Sequence, residues 1–481
     1  MTAAAFAYGV ASGDVGHDSV VLWARTTVPG TTVRWLCEPA EPTGSDGHAG
    51  EAASDPQTGA VHILVEGLDA GVQYRYIFEA DGEHSPEGLF RTIPTDRPVR
   101  FAVVSCAKYN SGFFNAYRAV AELDDIDFVL HLGDYIYEAA EVPRGKQTPG
   151  ANIGRPMEPL GDCISFDDYS TRYALYRRDT DLLLLHSKHA IIATIDDHEL
   201  SDNAWSGGAQ EHDPERDGPW ADRRSAAMRA WSDWMPTLRR PDDGDAVWRE
   251  IPLGEAGRIL LFETRLARSD PEGPDGPDKT ALGIAQRDFM LDRLATPIEG
   301  WTFAAIPSML ATLEPAVADE VALFALRKLK LTEADTTAAF HDLWDSFARD
   351  RDLVLDAIGA GDRSIVLSGD VHFSADHEST VASGDYVEWT VTSITSPNLD
   401  DKMGWPRGAE SRDYETALLK MLPDMRWCDL DSHGFLVVEA GLDLVSCQWW
   451  FVDAVKELTD GVTMGHQVTL PTHPEGTVSP L

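Results

Sequence analysis

The sequence is poor in cysteine and in positive charge, and it has no long apolar run. Its five cysteines are scattered and form no CxxC pair, which argues against a disulfide framework. No stretch of about 18 apolar residues occurs, so no membrane span is expected. With 40 basic and 80 acidic residues the net charge is -40, and this field repels nucleic acid and anionic membranes. We therefore expect no nucleic-acid-binding surface.

The first residues also lack the basic region and the apolar segment of a signal peptide. The compartment stays open: extracellular or periplasmic if a leader was removed, and cytoplasmic otherwise. The sequence gives no indication of the oligomeric state. Its composition is that of a globular protein, because 43% of the residues are hydrophobic and 25% are charged. A chain of 481 residues is too long for one ordinary domain.

Residues 1–96 have the pattern of β structure. Short runs that alternate apolar and polar residues lie at 19–23, 32–36 and 61–65. The segment 67–76 looks like the tyrosine-bearing corner of a fibronectin type III or immunoglobulin-like sandwich. The proline-rich stretch 93–98 is typical of a linker. We therefore predict an all-β sandwich at 1–96 and a catalytic domain at 97–481.

After residue 98 the pattern changes to apolar strands separated by helical segments, which indicates an α/β domain with buried strands. Residues with metal-binding side chains follow four of these strands. The strands are 99–104, 127–132, 190–195 and 364–368, and the residues that follow include Cys106, Asp134, Asp197 and His372. Ligands at the carboxyl ends of strands in an α/β sheet converge on one crevice. We expect a metal site there.

The motifs around these residues resemble those of the PhoD-type alkaline phosphatases, a family of the calcineurin-like metallophosphoesterases. They are FAVVSCAKYN (101–110), HLGDYIYE (131–138), TIDDHELSDN (194–203) and VLSGDVHFS (366–374). The segments at 169–189, ETRLARSD (263–270) and SITSPNL (393–399) also look like the family. The resemblance implies an α/β (α+β) metallophosphoesterase core, made of β-sandwich layers flanked by helices.

The resemblance also implies two metal sites, with Fe³⁺ in one and often Ca²⁺ in the other. The residues that match the iron ligands are Cys106, Asp134, Tyr137 and His372. The residues that match the ligands of the second metal are Asp134, Asp197, Asn203 and Asp370. The donor types fit this division, since anionic thiolate and phenolate suit trivalent iron. The all-oxygen set suits Ca²⁺, with Mg²⁺, Mn²⁺ or Zn²⁺ as substitutes.

The reaction implied is hydrolysis of a small phosphate monoester or diester by a metal-activated hydroxide. His198 is expected to polarise the phosphoryl oxygen or protonate the leaving group, or only to hydrogen-bond Asp197. Asp196 is expected to orient a ligand or His198 from outside the metal shell. Arg265 either reaches the substrate phosphate or holds a carboxylate inside the protein. Tyr135 is expected to pack into the core.

Other functions remain open at this point. The same site would also serve a phosphodiesterase or a phospholipase D-like enzyme. Two alternatives belong to a different functional class: a non-catalytic binding protein and a redox iron protein. The segments of about 400–432 and 453–481 could form a lid over the site.

Overall fold

The computed structural model describes residues 5–42, 47–141, 153–237, 246–311, 342–361, 363–408, 411–422 and 424–471. These residues form three β-sheets and several helices. The architecture is α+β, as the alternation of apolar strands and helical segments predicts.

The largest sheet has nine strands. From one edge to the other they are β21 (Val462–Pro471), β20 (Leu444–Val452), β19 (Gly434–Ala440), β9 (Val99–Val104), β10 (Phe128–His131), β11 (Ile191–Ala193), β1 (Val10–Gly13), β2 (Ser19–Arg25) and β5 (Ala60–Glu66). The four central strands β9, β10, β11 and β1 are parallel to one another. They are apolar and buried, which is the pattern of strands covered on both faces.

The second sheet has seven strands and the third has five. Those of the second are β12 (Arg249–Pro252), β13 (Gly257–Leu261), β14 (Trp301–Ser308), β15 (Ser364–Gly369), β17 (Gly384–Thr390), β16 (Ser374–Val381) and β18 (Met425–Asp429). Those of the third are β4 (His48–Ala53), β3 (Thr32–Pro39), β6 (Gln73–Ala80), β7 (Glu83–His84) and β8 (Gly88–Arg91).

The nine-stranded and seven-stranded sheets pack face to face through large aromatic side chains. Phe101 on β9 meets Phe303 on β14 edge to face, with 5.6 Å between ring centroids. Trp389 on β17 meets Trp449 on β20 in the same way at 6.3 Å. All four side chains are fully buried, and each such burial stabilises the fold by about 1.5–3 kcal/mol. The sandwich is therefore a rigid support for the loops at its rim.

Nine α-helices lie within the described residues. They are α1 (Asn115–Ala121), α2 (Phe166–Tyr176), α3 (Thr180–Lys188), α4 (Pro214–Asp217), α5 (Trp220–Trp234), α6 (Gly283–Ala295), α7 (Ala348–Gly359), α8 (Leu399–Met403) and α9 (Ser411–Met421). Helices α1, α2, α3 and α5 pack on the nine-stranded sheet, and α6 and α7 pack on the seven-stranded sheet.

The amino-terminal segment is all-β, and the strands predicted at 19–23, 32–36 and 61–65 are confirmed as parts of β2, β3 and β5. Strands β1, β2 and β5, however, extend the nine-stranded sheet of the core. The joint is a parallel pairing of β1 with β11, in which Gly13 lies opposite Ile191. The segments before and after the predicted boundary near residue 96 therefore contribute strands to the same sheet.

The segments predicted as lids contain regular structure. Residues 400–432 include α9, β18 and most of α8. Within 453–481, strand β21 pairs with β20 at the sheet edge, and residues 472–481 lie outside the described residues. A lid function for either segment stays a prediction.

The structure also bears on disulfide bonds and membrane spans. All five cysteines are free and buried. Within the described ranges, no helix combines the length and the apolar character needed to cross a bilayer.

Gly13→Ala should destabilise the joint between the amino-terminal strands and the core. A Cβ atom at Gly13 would lie 2.4 Å from the Pro236 carbonyl oxygen and 2.5 Å from that of Ile191. Overpacking of this kind costs about 1–3 kcal/mol. The melting temperature followed by circular dichroism should therefore fall. Gly161→Ala is the control, since a Cβ there meets no described atom within 4 Å. Equal melting temperatures would contradict the tight joint.

Candidate metal centre

The predicted ligands lie on loops at the carboxyl ends of strands in two different sheets. Strands β9, β10 and β11 end side by side in the nine-stranded sheet, so the residues that follow them come together. Strand β15, which leads to Asp370 and His372, belongs to the seven-stranded sheet. The four strands therefore do not share one α/β sheet, contrary to the expectation from the sequence, although the residues that follow them do converge. The site forms where the rims of the two packed sheets meet.

The backbone of these loops is unusual. Seven described non-glycine residues have a positive φ, and five of them are predicted metal ligands. Those five are Cys106 (59°), Asp134 (57°), Asn203 (53°), Asp370 (71°) and His372 (59°). Such conformations are uncommon for residues with a Cβ and cost on the order of 1–3 kcal/mol each. The surrounding structure therefore holds the ligand side chains in directions that a relaxed loop would not choose.

The four predicted iron ligands converge. Cys106, Asp134 and His372 each offer a ligand atom within 4.8 Å of the other two. The phenol oxygen of Tyr137 lies 2.9 Å from Asp134 Oδ2 and 3.3 Å from His372 Nε2. These four side chains thus surround one point.

His372 is held in the orientation of a metal ligand. Its Nδ1 lies 3.2 Å from the Pro397 carbonyl oxygen and, as N–H, donates to it. That bond fixes the tautomer and leaves the Nε2 lone pair directed at the Tyr137 side. Burial also lowers the pKa of His372 well below its usual range, which favours the neutral form that metals bind.

The predicted ligands of the second metal also meet. Asp197 and Asp370 form an acidic group with Asp196, and Asp134 groups with Asp197 and His198. Asp134 therefore belongs to both clusters, as a bridging carboxylate must.

Asn203 lies beside this second group. Its backbone N–H donates to Asp197 Oδ2 at 2.6 Å, and its side-chain amide nitrogen donates to Gln210. The amide oxygen, which is the atom that binds a cation, takes part in neither of these bonds.

The electrostatics of the site call for cations. Burial raises the pKa of Asp134 well above its usual range, and the nearby carboxylates of Asp197 and Asp196 raise it further. Burial and Asp196 also raise the pKa of Asp370, and burial and Asp134 raise the pKa of Cys106. Asp197 Oδ1 is buried and has no hydrogen-bond partner in the described part of the chain. Multivalent cations offset the cost of burying these charges, because they favour the anionic forms of their ligands. The residues present therefore fit bound metal.

Glu199 supports the ligand loops, and sequence reasoning gave it no role. Its carboxylate accepts from the backbone N–H groups of Asp134 at 2.9 Å, Tyr135 at 2.6 Å and Asp196 at 2.8 Å. One buried side chain thus ties the loop after β10 to the loop after β11. One feature of the sequence does indicate this role: Asp196 and Glu199 have the Asp-x-x-Glu spacing of a capping box.

His198 is paired with a second residue that sequence reasoning missed. Its Nδ1 lies 2.7 Å from Glu138 Oε2, and Glu138 also accepts from the Asp202 N–H at 2.8 Å. The partner of the His198 ring is therefore Glu138, and the alternative in which the ring only bonds Asp197 is wrong. Burial alone would lower the pKa of His198, but Asp197 and Glu138 raise it well above the usual range. Burial opposes ionisation of Glu138 too, yet His198 lowers its pKa to about 2.

Arg265 is fully buried and holds carboxylates. It donates to Asp196 through Nε and to Asp342 Oδ1 and Oδ2 at 2.6 and 3.0 Å. The guanidinium group therefore binds two carboxylates inside the protein, which is one of the two roles expected for Arg265. Burial raises the pKa of Asp196 to about 6 despite this arginine. Arg265 thus holds Asp196 from inside the protein, and the orienting role expected of Asp196 stays a prediction.

Tyr135 packs into the core, as predicted. Its side chain is buried, and its hydroxyl lies 2.7 Å from His186 Nε2. Its ring stacks with those of Tyr173 and Tyr176, which lie on α2.

Comparison with known proteins identifies the family of this chain. A family model described as PhoD-like phosphatase matches residues 101–449, and one described as its N-terminal domain matches residues 1–94. Alkaline phosphatase D of Bacillus subtilis (strain 168) is 28% identical over 468 residues, which is 90% of this chain and 75% of that protein.

A solved structure of PhoD has the same fold. The TM-score is 0.80 at 24% identity, with 98% of this chain and 91% of that chain covered. Because the first family model spans most of the chain, the protein belongs to the PhoD-like phosphatase family and is a metal-dependent phosphoric ester hydrolase.

Proposed function

We propose that the protein hydrolyses phosphate monoesters and diesters at a centre of two unlike metals, Fe³⁺ and Ca²⁺, within a calcineurin-like metallophosphoesterase core. The observation that carries this proposal is the position of Asp134, which belongs to both ligand clusters. A carboxylate shared by two cations is the usual bridge of a two-metal hydrolase.

The two ligand sets differ in chemistry, and this supports two different metals. Cys106, Tyr137 and His372 supply a thiolate, a phenolate and an imidazole, which suit Fe³⁺. Asp197, Asn203 and Asp370 supply oxygen only and suit Ca²⁺, with Mg²⁺, Mn²⁺ or Zn²⁺ as alternatives. When bound, the metals supply Lewis-acid polarisation and neutralise charge on the phosphoryl group.

His198 is the residue proposed to act on the substrate. Glu138 occupies Nδ1, so Nε2 is the nitrogen left to donate a proton to the leaving oxygen or to hold a phosphoryl oxygen. The side chain is 15% exposed, which leaves part of it accessible to a ligand. Arg265, fully buried and paired with carboxylates, supports the acidic cluster from behind.

The substrate class is tested with p-nitrophenyl phosphate and its bis ester. Hydrolysis of both is expected, since the proposed metals act on groups that monoesters and diesters share. Activity on the diester alone would favour the phosphodiesterase or phospholipase D-like alternative. Inertness towards both esters, at full metal content, would reject the proposal and favour a redox iron protein.

Tyr137→Phe should abolish a visible phenolate-to-iron charge-transfer band, because it removes the phenolate donor. The purified protein is expected to contain about one iron per chain, as one thiolate–phenolate–imidazole site requires. Iron is measured by elemental analysis and the band by absorption spectroscopy. Tyr135→Phe is the matched control, since its hydroxyl meets His186 on the core side. A band that survives Tyr137→Phe at unchanged iron content would contradict the ligand assignment.

Asp134→Asn should lower kcat by more than about 100-fold, the upper end of the effect of losing an outer-shell partner of a metal. An amide cannot bridge two cations as a carboxylate does. Turnover of p-nitrophenyl phosphate and the circular dichroism spectrum are measured together, and the fold should be retained. Asp275→Asn is the control, because that side chain is 95% exposed. Near-normal activity of Asp134→Asn would refute the bridging role.

A further inference from the structure

The segment SITSPNL (393–399) has no part in either ligand set, yet it lies against the metal centre. It follows β17 and runs beside the loop that carries Cys106. The N–H of Ile394 donates to the Ser105 carbonyl at 2.9 Å. The N–H groups of Thr395 and Ser396 donate to the Cys106 carbonyl at 3.3 and 3.2 Å. Three backbone bonds thus fix this segment to the first ligand loop.

Two consecutive residues of the segment contact two different ligands. The hydroxyl oxygen of Ser396 lies 2.6 Å from the phenol oxygen of Tyr137. The carbonyl of Pro397 accepts from His372 Nδ1. Ser396 contacts the Tyr137 oxygen that would bind the metal. Pro397 fixes which nitrogen of His372 is free to bind it.

The single hydrogen of the Ser396 hydroxyl has two acceptors within reach. One is the Tyr137 oxygen at 2.6 Å and the other is the Cys106 carbonyl at 3.0 Å. The Cys106 carbonyl already accepts from two backbone N–H groups. A metal-bound phenolate has no hydrogen of its own and only accepts, and bonds to charged acceptors are the stronger ones. The hydrogen of Ser396 therefore belongs to Tyr137 in the loaded site.

The segment is held rigidly enough to aim this hydroxyl. Ser396 is fully buried. Ser393 Oγ lies 2.7 Å from the Ser396 carbonyl and 3.0 Å from His433 Nδ1, and Asn398 Nδ2 donates to the Ser432 carbonyl at 2.9 Å. Locked rotamers and supporting hydrogen bonds of this kind preorganise a group beside a metal ligand.

We propose that Ser396 is a positioning residue of the metal centre, whose hydroxyl donates to the Tyr137 phenolate and sets its donor strength towards iron. This inference rests on the proposed iron site. A hydrogen bond lowers the energy of the filled phenolate orbitals, so the phenolate donates less charge to the metal. Outer-shell hydrogen bonds tune metal centres in this way.

Ser396→Ala tests the inference in the iron-loaded protein. Loss of the hydrogen bond raises the phenolate donor orbitals, so the charge-transfer maximum should move to longer wavelength. The stronger donor also stabilises Fe³⁺, and the midpoint potential should fall. Absorption spectroscopy and a redox titration measure the two shifts, and neither depends on turnover.

Two further variants separate the hydrogen bond from general packing. Thr395→Val removes a neighbouring hydroxyl that donates to the Lys108 carbonyl at 2.8 Å, and it should leave the band unmoved. Ser396→Thr keeps a hydroxyl at position 396 and should restore the wild-type maximum. Iron lost from Ser396→Ala but retained in Ser396→Thr would also support the inference.

Three results would overturn it: an unmoved maximum in iron-loaded Ser396→Ala, an equal shift in Thr395→Val, or loss of iron from both Ser396 variants. A wild-type protein that has no iron band would instead refute the iron site itself. The two failures are therefore distinguishable.

Discussion

Mutual repulsion between buried carboxylates governs the centre of this protein. Asp134, Asp196 and Asp197 are buried and lie beside the half-buried Asp370, and charge in such surroundings is costly. Arg265 offsets part of this charge from the inside, through its bonds to Asp196. The remaining charge requires cations on the open side.

This repulsion has to be resisted by the backbone, and the architecture provides the resistance. The ligand loops leave strands of two packed sheets whose aromatic core is fully buried. Glu199 ties two of the loops together through three amide N–H groups. Left-handed conformations at five of the predicted ligands are tolerated because the strands before them are fixed.

Residues just outside the ligand shell each determine the state of one inner group. Glu138 fixes the orientation of His198 and supports its positive charge. The Pro397 carbonyl fixes the tautomer of His372, and Ser396 contacts the Tyr137 oxygen. Such groups determine which atom of a side chain faces the metal or the substrate. The unlike character proposed for the two metal sites would therefore depend on these outer residues as well as on the ligands.

The sequence by itself determined the types of the proposed ligands and their order along the chain, because residue identity and the apolar pattern of a strand are local properties. It also indicated the β-rich amino-terminal segment and the core position of Tyr135. Only the tertiary structure decided that β15 lies in a different sheet from β9, and that β1 extends the core sheet. It likewise decided that Glu199 binds backbone amides and that Arg265 is held by carboxylates. Strand pairing and side-chain partners depend on contacts between residues far apart in the chain, and periodicity carries no information about them.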